Sequence, residues 1–149
     1  MAGVPSVAGN VTNMPLRRKA REFALQMLFQ WEMSKQEPAL VEASFWKNAR
    51  AAKTTRTFAN QLFEGAIARS KTIEELLSEH AKNWRLERMA AVDRNILRLA
   101  VYELRWGAGT PPKVVINEAL ELAKKFSSEE AAPFINGILD AILKADPEH

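Results

Sequence analysis

AREFALQMLFQW (residues 20–31) decides the fold class. Ala20, Phe23, Ala24, Met27, Leu28 and Trp31 recur at steps of three and four, which draws one apolar stripe along an α-helix. A second row, Leu25, Phe29 and Met33, runs at four-residue steps along its flank. A helix resting one face on its own domain needs only the first stripe. The second row therefore means either burial on two sides or a surface for a partner.

Just upstream, Arg17, Arg18, Lys19 and Arg21 crowd the helix entrance. The formal net charge is +3, and without these four residues the balance turns negative, so the positive excess sits in one place. A concentrated cluster can meet several phosphates together. It also opposes the helix dipole, which favours acids at this end. The alternative is a solvated basic helix end.

Helical periodicity continues downstream. Glu37-Pro38 opens a shorter second helix, with Leu40, Val41 and Phe45 facing inward. The polar and basic stretch from Asn48 to Thr57 includes a connection. Thr57 caps a long third helix, striped by Phe58, Leu62, Ala66, Ser70, Ile73, Leu77, Ala81 and Trp84. A turn follows within Arg85 to Met89. The segment from Val92 to Trp106 is apolar around most of its circumference, as a central helix buried on several sides would be. Gly107, Ala108, Gly109 and then Pro111-Pro112 end it. A fifth helix places Val115, Ala119, Leu122, Ala123 and Phe126 on one face. The Ser-x-x-Glu pattern within Ser127 to Glu130 predicts a capping box for a last helix, striped by Phe134, Ile135, Ile138, Leu139 and Ile142. Gly137 offers that helix a place for close contact. No strand, glycine-rich phosphate loop or repeat is read, so the expectation is an all-α protein of about six helices.

Little here supports catalysis. There is no cysteine, which excludes thiolate chemistry and cysteine zinc sites and fits a reducing cytoplasm. The two histidines, His80 and His149, lack the spacing of a ligand pair, so no metal and no cofactor is expected. Glu74-Glu75, Glu118 with Glu121 and Glu129-Glu130 read as solvated or capping carboxylates, and no serine has a nucleophile-elbow context. Residues 1–15 are uncharged and rich in Gly, Pro, Val and Asn; they read as a flexible tail rather than a secretory signal, leaving residues 16–149 as a single helical domain. No window approaches the roughly 20 apolar residues of a membrane helix, so a soluble, cytoplasmic protein is expected. Asp93 suits a helix start by complementing the dipole, and an exposed carboxylate there also suits a basic partner. Phe134, beside Pro133, reads as core or staple, or, if exposed, as a platform for an unpaired base.

Three motifs carry a specific resemblance. RRKAREFALQMLFQWEMS (17–34), ILRLAVYEL (96–104) and PPKVVINEALELAKKFSSEEAAPFINGILDAI (111–142) resemble the NusB transcription antitermination factors. Residues 36–90 match mainly in helical pattern, and residues 1–15 do not match. The resemblance implies an all-helical fold of two small bundles and a non-enzymatic role in processive antitermination, mainly on ribosomal RNA operons. It implies binding to the single-stranded boxA element of nascent RNA with the ribosomal protein NusE, in a complex that joins RNA polymerase and other Nus factors.

Position by position, Arg17, Arg18 and Arg21 fall on the family's arginine-rich RNA-binding motif, with Lys19 in place of another basic residue. Gln26 matches a position near the RNA surface, and Phe134 one that contacts bases, which favours stacking over the core reading. Glu130 occupies an acidic position associated with modulating RNA binding. Phe29 stands where relatives often have tyrosine at the NusE interface, Asp93 where an acid serves that interface, and Met33 extends the row of Phe29. Ser127-Ser128 departs from the Gly-Ala of some relatives. Three or four neutralised phosphates would give a log–log salt slope of about −2 to −3. Two other readings compete: a helical protein-interaction module without RNA specificity, and a helix-turn-helix DNA binder. The second would need a basic recognition helix where the chain has an apolar one. NusB-like domains also front some ribosomal RNA methyltransferases, but no cofactor-binding βαβ region is read here, so methyl transfer is not expected.

Overall fold

The computed structural model describes residues 14–81, 86–107 and 109–146. Expectations resting on residues 1–13, Trp84, Arg85, Ala108 and His149 fall outside these. The described residues form seven α-helices and one 3-10 turn, with no strand among them. The helices are α1 (Met14–Ser34), α2 (Pro38–Asn48), α3 (Lys53–Ala68), α4 (Ser70–His80), α5 (Ala91–Trp106), α6 (Pro112–Phe126) and α7 (Ala131–Lys144); the 3-10 turn is Leu86–Arg88.

The stripe on α1 is buried from Ala20 to Leu28 and partly so at Trp31, and α1 lies along α3 and α5 with α2 folded back on it. Lys35 ends α1 in the left-handed region (φ 59°), where its N–H donates to Trp31 O at 2.9 Å. On α2, Val41 and Trp46 are buried, and Phe23, Phe45 and Trp46 meet edge to face at 4.9–5.7 Å. Leu40, expected inward, is 57% exposed: the short helix rests on α1 through its Val41–Phe45 edge, and Leu40 lies outside that edge.

The expected long third helix is two helices. α3 starts at Lys53 with Ala52 at its N-cap, so Thr57 is an internal residue, and the helix ends at Arg69 (φ −106°, ψ 12°). Neither glycine nor proline marks the break. The stripe crosses it unbroken, since Leu62, Ala66, Ile73, Leu77 and Ala81 are all buried. Close helix contact occurs at Gly65, where a Cβ would lie 2.6 Å from Tyr102 Cε1 and closer still to Cζ. Gly137, expected in that role, faces open space. The predicted capping box does not form either. Ser127 closes α6, Ser128 Oγ accepts the Ala131 N–H at 3.1 Å, and Glu130 stands at the N-cap with no side-chain cap bond.

α5 is the central helix, packed by α1, α3, α4, α6 and α7 around one continuous apolar core. Its buried polar residues all find partners on α1. Arg21 donates to Glu103 from Nε and Nη2 at 2.7 and 2.9 Å. Eleven residues along, Glu32 accepts from Arg94, from Arg98 Nη1 at 3.0 Å and from Asn95 at 3.3 Å. Arg94 Nη1 also donates to the carbonyls of Leu86 and Met89, which fixes the turn before α5.

Candidate nucleic-acid interface

Burial divides the basic entrance of α1. Arg18 and Lys19 are about half exposed, and Arg17 is partly exposed with its guanidinium 4.8 Å above the Phe58 ring. Arg18 donates twice to Glu118, at 3.1 and 2.7 Å; this hydrogen bonding, and then the charge of Glu118, raises its pKa. Lys19 Nζ lies 3.5 Å from Glu22 and 5.1 Å from the Phe23 ring. Arg21 departs from the expectation of one free cationic surface. Its side chain is buried against Glu103, where reaching a phosphate would strip Glu103 of its counter-charge.

A cation not singled out in the sequence joins this surface. Lys125, near the end of α6, donates to both oxygens of Glu22 at 3.0 Å while staying more than half exposed. Lys19, Glu22 and Gln26 follow at helical spacing on α1, and Gln26 is exposed. Beyond Lys125 the chain turns through Ser127–Glu130 into α7. Glu130 is exposed there and Phe134 is partly buried in the first turn, packed against the core. The α6–α7 turn thus places both residues next along the chain after Lys125. Only a tertiary pairing brings Lys125 to α1, and no local pattern marks it.

Alongside runs an apolar groove of about 660 Å³, walled by Leu25, Gln26, Phe29, Phe45, Val92 and Phe126, among others. Leu25 closes its floor, whereas Phe29 is 42% exposed and Met33, one turn beyond, is 54% exposed. Of the two uses open to the second apolar row, Leu25 takes burial and Phe29 and Met33 remain uncovered. Asp93 follows Val92 at the start of α5, partly buried, with Oδ1 shielded from solvent and lacking a hydrogen-bond partner among the described residues. Gln26, one turn after Glu22, lines the groove, and so does Phe126, whose ring lies 5.6 Å from Lys125 Nζ. The two surfaces are therefore continuous.

Among the described residues, no group of three or more His, Cys, Asp or Glu is placed to hold a metal ion, and no helix is long and apolar enough to cross a membrane. A model of the NusB family matches residues 18–144. The chain is 52% identical to the transcription antitermination protein NusB of Koribacter versatilis over 86% of this chain and 88% of that one. It is 44% identical to the protein of the same name from Solibacter usitatus, over 91% and 93%. Among solved structures, a complex of antitermination factors NusB and NusE with double-stranded RNA contains a chain matching with a TM-score of 0.80 at 30% identity, covering 89% of this chain and 98% of that one.

Proposed function

The chain belongs to the NusB family, and from that premise we propose that it is a non-catalytic transcription antitermination factor. It holds boxA RNA together with NusE, and the complex joins RNA polymerase and other Nus factors to keep transcription of ribosomal RNA operons processive, in the cytoplasm. The observation that carries this reading is the continuity of a charged seam and an uncovered apolar groove through Gln26, Lys125 and Phe126. A partner protein seated on Phe29 would abut an RNA strand lying on the seam.

In this reading Arg17, Arg18, Lys19 and Lys125 neutralise phosphates, Gln26 reaches the RNA edge, and Phe134 stacks on a base that Glu130 helps to select. Charge plus a few aromatic and polar base contacts is how single strands are usually held. Phe29, Met33 and Asp93 serve NusE. Phe29 supports an apolar contact without a hydroxyl, and the unmet Asp93 Oδ1 suits a donor from the partner. Arg21 acts through the fold, keeping α1 against α5 rather than touching RNA.

The test is fluorescence anisotropy of a short boxA RNA against a scrambled one, with and without NusE. Selective binding that tightens with NusE is the expected result. Equal, salt-sensitive binding to both RNAs would replace this reading with a protein-interaction module lacking RNA specificity.

A further inference from the structure

Positive charge gathers a second time where α2 passes into α3. Lys47, Arg50, Lys53 and Arg56 recur at every third residue, all four are exposed, and no Asp or Glu occurs between Glu42 and Glu64. Two of the α1 cations are partly neutralised, Arg18 by Glu118 and Lys19 by Glu22. Among the described residues, none of the four cations on the α2–α3 connection has a carboxylate within ion-pair distance. Lys53 and Arg56 also stand in the first turn of α3, where no acid offsets the positive end of the helix. A solubilising surface mixes both signs; this one concentrates a single sign against its own repulsion.

Aromatic contacts tie this surface to the α1 entrance. Lys19 lies 5.1 Å from the Phe23 ring, Phe23 meets Trp46 at 5.2 Å, and Arg56 caps Trp46 at 5.1 Å. Two residues further along α3, Phe58 carries the guanidinium of Arg17. The rings hold the two sets of cations as neighbours.

We propose that Lys47, Arg50, Lys53 and Arg56 form a second phosphate-binding track, which grips the backbone of the RNA strand where it continues beyond the segment held at α1. The track rests on the reading of α1 as an RNA surface. It reads charge and not sequence, because none of the four side chains is fixed by a hydrogen bond among the described residues in the way that selecting a base requires.

The experiment uses the full chain with NusE present. It compares a short boxA RNA with the same RNA extended by uridines on both sides, for the wild type and for the triple variant K47A/R50A/K53A. Those three side chains make no hydrogen bond or ring contact among the described residues, so the variant keeps the fold, which circular dichroism checks. The wild type should prefer the extended RNA with a log–log salt slope steeper by about 3, from four contacts at about 0.7 each, so that the preference falls about 50-fold between 50 and 200 mM salt. The variant should bind short RNA as the wild type does and lose most of the preference and of the extra slope, keeping only the share of Arg56, about 0.7. A variant that keeps both overturns the track and leaves a solvated helix connection. Short boxA against short scrambled RNA judges the parent reading separately. If that selectivity is absent while the variant still loses most of the extra slope, the track stands as a sequence-blind phosphate surface.

Discussion

Arg21 and Glu103 meet inside the protein as a two-point ion pair, Nε to Oε1 at 2.7 Å and Nη2 to Oε2 at 2.9 Å, with each side chain 5% exposed. This pairing separates Arg21 from the three basic residues before it. Replacing Arg21 with Ala should cost about 3–5 kcal/mol in urea denaturation, because Glu103 is left buried and unpaired. The double variant Arg21→Ala/Glu103→Gln should recover part of that loss. Arg17→Ala and Lys19→Ala should each leave stability within about 0.5 kcal/mol. A stability loss at Lys19 as large as that at Arg21 would contradict this division.

Phe29 and Met33 lie uncovered beside the groove, so removing them forfeits little of the chain's own packing. Phe29→Ala/Met33→Ala should leave the thermal midpoint nearly unchanged while weakening NusE about tenfold or more in calorimetric titration, the range of an apolar anchor at an interface. Asp93→Lys should impair NusE binding more than RNA binding by the free protein. Equal losses in both would point to damage to the fold.

Gly65 admits the ring of Tyr102 where any Cβ would collide with it. Gly65→Ala should destabilise by about 1–3 kcal/mol, the usual range for overpacking. The cost should shrink in a Tyr102→Ala background, a coupling that a double-mutant cycle on chemical denaturation curves would expose. Additive effects would mean that the ring swings aside freely.

Partial burial, followed by the adjoining carboxyl of Glu64, pushes the Glu42 carboxyl up to about 7 from 4.5, against the pull of Arg56. Between those values the folded chain binds more protons than the unfolded one, so stability falls as pH rises through that window. Glu42→Gln should remove this slope. Solvent screening of a partly exposed group limits the gain at pH 8 to about 1 kcal/mol. Identical pH–stability curves for the two proteins would refute the assignment.

Periodicity alone placed most helices within a few residues, because an apolar stripe reports which face is buried. It did not reveal the break at Arg69, since the stripe continues across it and no breaker residue stands there. Nor did it separate Gly65 from Gly137: both sit in helices, and only the approach of Tyr102 distinguishes them. Leu40 shows the same limit at a helix edge, where an apolar residue on a short helix had nothing left to cover it. At the candidate interface, the charge of Arg17, Arg18 and Lys19 was legible from composition. The burial of Arg21 and the arrival of Lys125 at Glu22 were not, because each depends on a carboxylate or helix distant in the chain.

The polar contacts between α1 and α5 also encode direction. On α1 a cation, Arg21, is followed about 16 Å further on by an anion, Glu32, taking 1.5 Å per residue. On α5 the signs run in the same order along the chain, with Arg94 and Arg98 first and Glu103 after them. Antiparallel docking satisfies every charge. Laid parallel, the same helices would set Arg21 toward two arginines and Glu32 toward Glu103, with like charges facing inside an apolar core. Apolar stripes tolerate either orientation, so these few buried ions make the reversed bundle a forbidden topology.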